Sequence, residues 1–272
     1  MIQNRRLKGK QMCKTFYTLL IVARIAGLGA TTLAADVTSN LVAHWKLDEG
    51  SGTAAADSSG NGYHGTLSGG ATWTTGKIGG GLSFDGINGT VTIAPATQTG
   101  ALTVAGWIKC NSTSVSHIVG NSSGGISRFF KVNDNLTTST WRFVNSAGSQ
   151  IGFTTASVGT GSWRHGCVTR DGSNNVRVYL DGVESSTGAQ ALSGNFAPNR
   201  FGFGNGFYLN GSLDDVRIYS RALTIEDIRA LVIQGGPAAS YYYRGQTSVD
   251  RDRQQMYAAI GLSEETRGGI SP

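Results

Sequence analysis

The stretch WRHGCVTRDGSNNVRVYLDG, residues 163–182, reads as a β-hairpin. Two runs rich in valine, threonine and aromatic residues flank the segment RDGSNN, and a second Asp-Gly pair, Asp181-Gly182, ends the return run. Such pairs mark chain reversals, because glycine, asparagine and aspartate reach positive φ at little cost. Working outward, ALTVAGWIK (101–109), SRFFKV (127–132), STWRFVNS (139–146) and SLDDVRIYS (212–220) have the same extended character, and Asp85-Gly86 and Asn88-Gly89 fall at segment ends. Short strands at near-regular spacing, divided by turn residues, are the pattern of an all-β antiparallel sandwich. One segment departs from it. In ALTIEDIRALV (222–232), Thr224 is placed to cap a short helix whose apolar face is Ile225, Ile228, Leu231 and Val232.

The formal net charge of +6 suggests an acidic partner until its distribution is read. Residues 1–35 hold Arg5, Arg6, Lys8, Lys10, Lys14 and Arg24 and no acid; without these six, 17 basic residues balance 17 acidic ones. Nucleic acid and an anionic membrane are therefore set aside as partners of the body. The basic start, the apolar run FYTLLIVA (16–23) and the small residues leading to Ala35 make 1–35 a signal peptide of bacterial character, with Arg24 as an interruption. The mature chain is expected to be secreted, periplasmic or on the cell surface. No later run approaches the roughly 20 apolar residues that span a bilayer. The folded domain is expected over 36–234, and a Gly-Gly-Pro boundary then opens a polar, charged tail, 235–272, that reads as a linker or docking segment.

Taken together and in order, LVAHWKLDEGSGTAAADSSGNGYHGTLSGGATWTTGKIGGGLSFDGINGTVTI, LTVAGWIK, SWRHGCVTRDG, VRVYLDGV and GSLDDVRIYSRALTIEDIRAL resemble the consecutive motifs of the laminin-G-like, concanavalin A-like jelly-roll domain over about residues 41 to 232. The resemblance implies a two-sheet antiparallel jelly-roll sandwich with adjacent first and last strands and one sheet curved into a concave face. A more distant similarity is to the pentraxin signature, in which His165, Cys167 and Thr169 match while Arg170 replaces a tryptophan. The pentraxin partner of the cysteine would fall near Ala105, but the sequence places Cys110 there instead. Five residues along a strand is about 17 Å and the opposite face, so a Cys110–Cys167 bridge is not expected.

Catalysis finds little support in these residues. The superfamily's glycoside hydrolases carry carboxylates at alternate positions of one strand, whereas Asp48-Glu49, Asp214-Asp215 and Glu226-Asp227 are adjacent pairs that diverge. No nucleophile elbow and no paired histidine motif is present. A non-catalytic binding module is the reading that remains, with an extracellular glycan as partner; a protein-protein or matrix adhesion module is the alternative, and a glycoside hydrolase-like enzyme the third. Glycan recognition needs a flat ring with polar groups at its rim. Trp141, Phe207 and Tyr208, with Asn205 and Asn210 beside them in NGFYLNG, are the candidates, and Phe129 and Phe130 could contribute. Trp45, Trp107 and Trp163 read as core, while Trp141 and the Phe207-Tyr208 pair fit core or platform equally.

A metal loop is the remaining possibility. DSSGNGYHG (57–65) places Asp57, Ser59 and Asn61 two residues apart but lacks the distal glutamate of an EF-hand. Members of the resembled family often hold one calcium near the paired terminal strands, which implies a structural calcium on Asp57 and Asn61 with Asp214 and Asp48. The other reading is that Asp57 and Asn61 form Asx turns.

Overall fold

Trp163–Arg170 and Asn175–Leu180 pair antiparallel, with Cys167 opposite Tyr179 and Val168 opposite Val178. The expected hairpin is present, although its positive φ falls on Asn174 (66°) rather than on Gly172. Asp171 explains the shift: its Oδ1 accepts from the backbone N–H of Ser173 and of Asn175, which holds the turn closed one residue before the return strand.

The computed structural model describes residues 37–235 except 95, 113–115, 122–129, 133–139, 146, 156–157, 159–160 and 205. The leader, the tail, Phe129 and Asn205 thus lie outside the described residues. Two main sheets are built, and every strand pairing among the described residues is antiparallel. One has nine strands, in the order Val183–Glu184, Asn175–Leu180, Trp163–Arg170, Leu102–Cys110, Asn210–Tyr219, Gly80–Asp85 and Thr72–Thr75, with Leu41–Trp45 also on Asn210–Tyr219 and Gln190–Ala191 on Asn175–Leu180. The other has eight, in the order Gln150–Thr154, Thr140–Val144, Phe130–Val132, Ser116–Gly120, Arg200–Phe201, Thr90–Ile93, Gly65–Ser68 and Ala54–Ala55. The chain is an all-β jelly-roll sandwich, and its first long strand pairs with its last.

Alternation along Leu102–Cys110 shows how the layers close. Val104, Ile108 and Cys110 enter the large core between the sheets with Trp45, Phe84, Phe130, Trp141 and Phe201. Ala105 faces the other way, into a smaller cluster with Cys167, Tyr179, Tyr219, Ile228 and Leu231. The helix Ile225–Gln234 supplies that outer cover. Thr224 caps it in a reciprocal box, Thr224 Oγ1 accepting from the Asp227 N–H while the Asp227 carboxylate accepts from the Thr224 N–H. At its end, Gly235 is required by close approach, since a Cβ there would run into the Trp107 ring.

Register bears out the cysteine argument: Cys167 stands opposite Ala105, and Cys110 belongs to the other face. Neither cysteine is in a disulfide, and both are buried. Arg170, which departs from the pentraxin signature, is fully buried; its guanidinium donates to the carbonyls of Gly100 and Gly194 and ties two loops to the strand end.

Asn210–Tyr219 changes partner midway along one edge. Asn210 to Leu213 pair with Gly80–Asp85, and Val216 to Tyr219 pair with Leu41–Trp45. Between them the register with Leu102–Cys110 slips, and Asp215 takes a left-handed φ of 50°. This is a β-bulge, in which one extra residue re-aims the strand.

Candidate functional site

Asp57 lies at the start of its loop, beside the first strand, and both of its oxygens are occupied. Oδ1 accepts from the His44 and Ser59 N–H groups and Oδ2 from the Tyr63 N–H and the Ser59 hydroxyl, each at 2.9 Å. Burial pushes this carboxyl's pKa up, but the donors outweigh it and hold it below the usual value. The Asn61 amide donates to the carbonyls of Leu41 and Val42, at 3.2 and 2.9 Å. The loop stitches itself to the free edge of Leu41–Trp45, which covers backbone that would otherwise be an open strand edge.

Asp48 and Asp214 serve a different segment. Asp48 Oδ1 accepts from the Gly80 N–H, and Asp214 Oδ2 accepts from the N–H groups of Lys77 and Ile78. Asp214 Oδ1 is buried and has no hydrogen-bond partner. Burial raises this carboxyl to about 7 against the two backbone donors. Its neighbour Asp215 is instead ion-paired, with His44 Nε2 at 2.6 Å and Arg217 at 3.0 Å. Among the described residues no group of three His, Cys, Asp or Glu side chains is placed to hold a metal ion. The four residues expected to share a calcium work in pairs on separate segments, and Asp57 has no lone pair left for a cation. They do not fit that site; their arrangement is that of turns satisfied by protein donors.

Trp141 is corrected by its burial. Its ring is 0% exposed, tilted against Phe130 at 4.9 Å between centroids, and sits where a Cβ on Gly166 would collide with it. A ring with no open face cannot stack on a sugar. Phe130 is buried with it. Trp45 and Trp107 are core as expected, whereas Trp163, at the start of its strand, stays partly exposed beneath the Lys109 ammonium.

Phe207 and Tyr208 are placed differently. After Arg200–Phe201 the chain turns at Gly202 (φ 74°), where a side chain would strike the Phe84 ring, and forms a two-stranded finger from Phe203–Gly204 and Phe207–Tyr208. A Leu209 N–H to Gly202 carbonyl bond closes its base. The finger lies on Ser116–Gly120: a Cβ on Gly120 would meet the Phe203 carbonyl, and one on Gly204 the His117 ring. Phe207 stands edge-on to His117 at 5.7 Å, Phe203 is tilted against Tyr208 at 4.7 Å, and the Arg200 guanidinium carbon is 5.7 Å from the Phe203 ring centre. Phe207 is 50% exposed and Tyr208 half-buried. Asn210 belongs to the nine-stranded sheet, opposite Asp85, with its side chain against Gly86.

This finger extends the outward face of the eight-stranded sheet. Phe201, Val91 and Leu67 point into the core, so Arg200, Thr92 and Thr66 point outward, and register aligns Gly120, Arg200, Thr92, Thr66 and Ala54 in one row across the strands. Thr66 and Thr92 are exposed. The result is an apolar ridge beside a row of hydroxyls with a guanidinium between them. Sequence reading missed Arg200 and Phe203; the signal was the close spacing of aromatics and glycines in RFGFGNGFY (200–208).

Residues 84–229 match the family model of the concanavalin A-like lectin/glucanases superfamily. No curated protein matches the chain. Among solved structures it is similar to the binding domain of Paraclostridial Mosquitocidal Protein 1, at 17% identity and a TM-score of 0.57, covering 72% of this chain and 52% of that one. It thus spans about half of that domain's length. It is also similar to domain 4 of AbnA, a GH43 extracellular arabinanase from Geobacillus stearothermophilus, in complex with arabinotriose: 21% identity, TM-score 0.53, 71% of this chain and 98% of that one. A third is Trypanosoma rangeli sialidase, at 14% identity and a TM-score of 0.54 over 80% of this chain and 38% of that one. At such identities the likeness is one of fold.

Proposed function

The chain belongs to the concanavalin A-like lectin/glucanase superfamily, and on that premise we propose that it is an exported, non-catalytic module that binds glycans through the aromatic finger Phe203 to Tyr208 and the outward face of the eight-stranded sheet beneath it. The observation that carries this reading is Phe207. Phe207 is the one phenylalanine, tyrosine or tryptophan ring left exposed among the described residues, and it stands on the same two-stranded finger as the Phe203–Tyr208 ring pair, with the Arg200 guanidinium beside Phe203. That is the combination a sugar requires: an apolar surface for its C–H face and donors for its hydroxyls.

Other features support the same reading. The arabinanase domain, of matching size and fold, is described with a bound oligosaccharide. Asp57 and Asp215 are engaged by protein donors and Asp48 and Asp214 hold the Lys77–Gly80 backbone, which supports a structural rather than a catalytic use of these acids. No helix of the described residues is long and apolar enough to cross a membrane. Screening the full chain on a glycan array, with Phe207→Ala alongside, tests the proposal: the chain should retain defined glycans and the variant should lose them. A protein-adhesion role is the outcome indicated by a blank array.

A further inference from the structure

Charge is divided unequally between the two sheets. The eight-stranded sheet contains Arg200, Arg142 and Lys131 and no aspartate or glutamate in any of its strands, and the finger Phe203 to Tyr208 adds no acid. The nine-stranded sheet carries Asp85, Asp214, Asp215 and Glu184 alongside its own basic residues. The strands of this sheet thus contribute basic residues and no acid, whereas those of the nine-stranded sheet carry both signs.

Arg200 is the residue that distinguishes it. Arg164, Arg177, Arg217 and Arg221 are each ion-paired, with Asp181, Glu184, Asp215 and Asp227 respectively. Arg170 spends its donors on backbone carbonyls. Arg200 has no carboxylate partner among the described residues, and its Nε is buried without a hydrogen-bond acceptor. Its guanidinium carbon lies 5.7 Å from the Phe203 ring centre, within reach of a cation–π contact that places the fork of donors beside an aromatic ring. A planar fork of donors beside a stacking ring matches an anionic group carried on a sugar ring better than a neutral hydroxyl, because charge-assisted bidentate bonds are roughly twice as strong as neutral ones.

Resting on the glycan-binding reading, we propose that the ligand is an acidic polysaccharide, whose carboxylate or sulfate pairs with Arg200 while its sugar rings pack along the aromatic finger that Phe203 and Tyr208 open beside that guanidinium. Affinity of the full chain is measured by titration calorimetry for polygalacturonate, its fully methyl-esterified form, dextran sulfate and dextran. Arg200→Gln, Arg200→Lys and the control Arg177→Gln, on the other sheet, are compared after their melting curves. The expected result is binding of polygalacturonate or dextran sulfate, the tighter of the two naming the group, with about tenfold loss in Arg200→Gln, a smaller loss in Arg200→Lys and none in Arg177→Gln. Raising the salt should weaken the wild type in parallel. Equal binding of the neutral polymers, or an unchanged Arg200→Gln, would overturn the acidic ligand and leave glycan binding standing. Absence of binding to all four, with a blank array, would overturn both.

Discussion

His165 and Trp107 stand opposite each other on the outer face of the nine-stranded sheet, ring centroids 5.2 Å apart, and each leaves one buried ring nitrogen without a hydrogen-bond partner. Across the next strand Asp214 is in register with Trp107 and leaves Oδ1 equally unpartnered. Burial lowers His165 to about 4 and raises Asp214 to about 7. Between these values the folded chain carries one proton on Asp214 and none on His165, whereas the unfolded chain has Asp214 ionised and His165 charged over most of that range. Both states bind the same number of protons, so the pair leaves stability nearly flat from about pH 4 to 6.5.

Breaking the pair exposes each slope. Asp214, whose folded pKa is raised, favours folding at low pH and loses that contribution as pH climbs towards 7; His165→Gln should therefore be less stable at pH 7 than at pH 4.5. In Asp214→Asn the depressed His165 remains, and stability should fall as pH drops below about 6.5, the unfolded value. Each slope is about 1 kcal/mol per pH unit. Urea midpoints at pH 4.5, 5.5 and 6.5 check both, and parallel profiles for the two variants would refute the assignment.

Asp57 holds its loop to the first strand through four donors, and nothing there is left to bind a cation. Asp57→Ala is expected to lose about 2–3 kcal/mol, since buried donors lose their acceptor. The Asp57 pKa is depressed, so its contribution is complete above about pH 4 and is lost below it. Melting temperatures in calcium and in chelator should coincide; a clear rise with calcium would restore the shared site.

Arg170 is the buried tie between the Gly100 and Gly194 loops. Arg170→Met keeps much of the volume but leaves two carbonyls unmatched, and about 2–4 kcal/mol of stability should go with it. Chemical denaturation gives the figure directly. A variant within 0.5 kcal/mol, about the usual surface-substitution effect, would contradict the role.

Cys110 and Cys167 sit on opposite faces of the nine-stranded sheet and form no disulfide. Thiol reagent should label neither in the native protein and both in denaturant, and burial, which pushes the Cys167 thiol well above its ordinary pKa, reinforces this inertness. An oxidant-induced link between them in the folded chain would contradict the register.

What could be read from the sequence was local. The 163–182 hairpin and the Thr224-capped helix were legible because turn chemistry and helical spacing act within a few residues, and the Cys167–Ala105 relation followed once the family pattern fixed the register. Trp141 was not: a tryptophan on a strand reads the same whether its face meets the core or solvent, and only pairing with Phe153 and Phe130's strand decides which. The Asp214-Asp215 bulge was hidden because its partners, His44 and the Lys77–Ile78 backbone, lie more than a hundred residues away. Arg200 was overlooked because its strand is two residues long and its significance lies in a missing partner.

The central claim is that the open aromatic finger is the glycan-contacting surface. Binding of the full chain to the strongest glycan ligand from the array, measured for wild type, Phe207→Ala and Tyr208→Ala at matched melting temperature, tests it most directly. The account predicts about a tenfold or greater weakening for each variant, as loss of a stacking ring costs on the order of 1–3 kcal/mol. Wild-type affinity in both variants would contradict it.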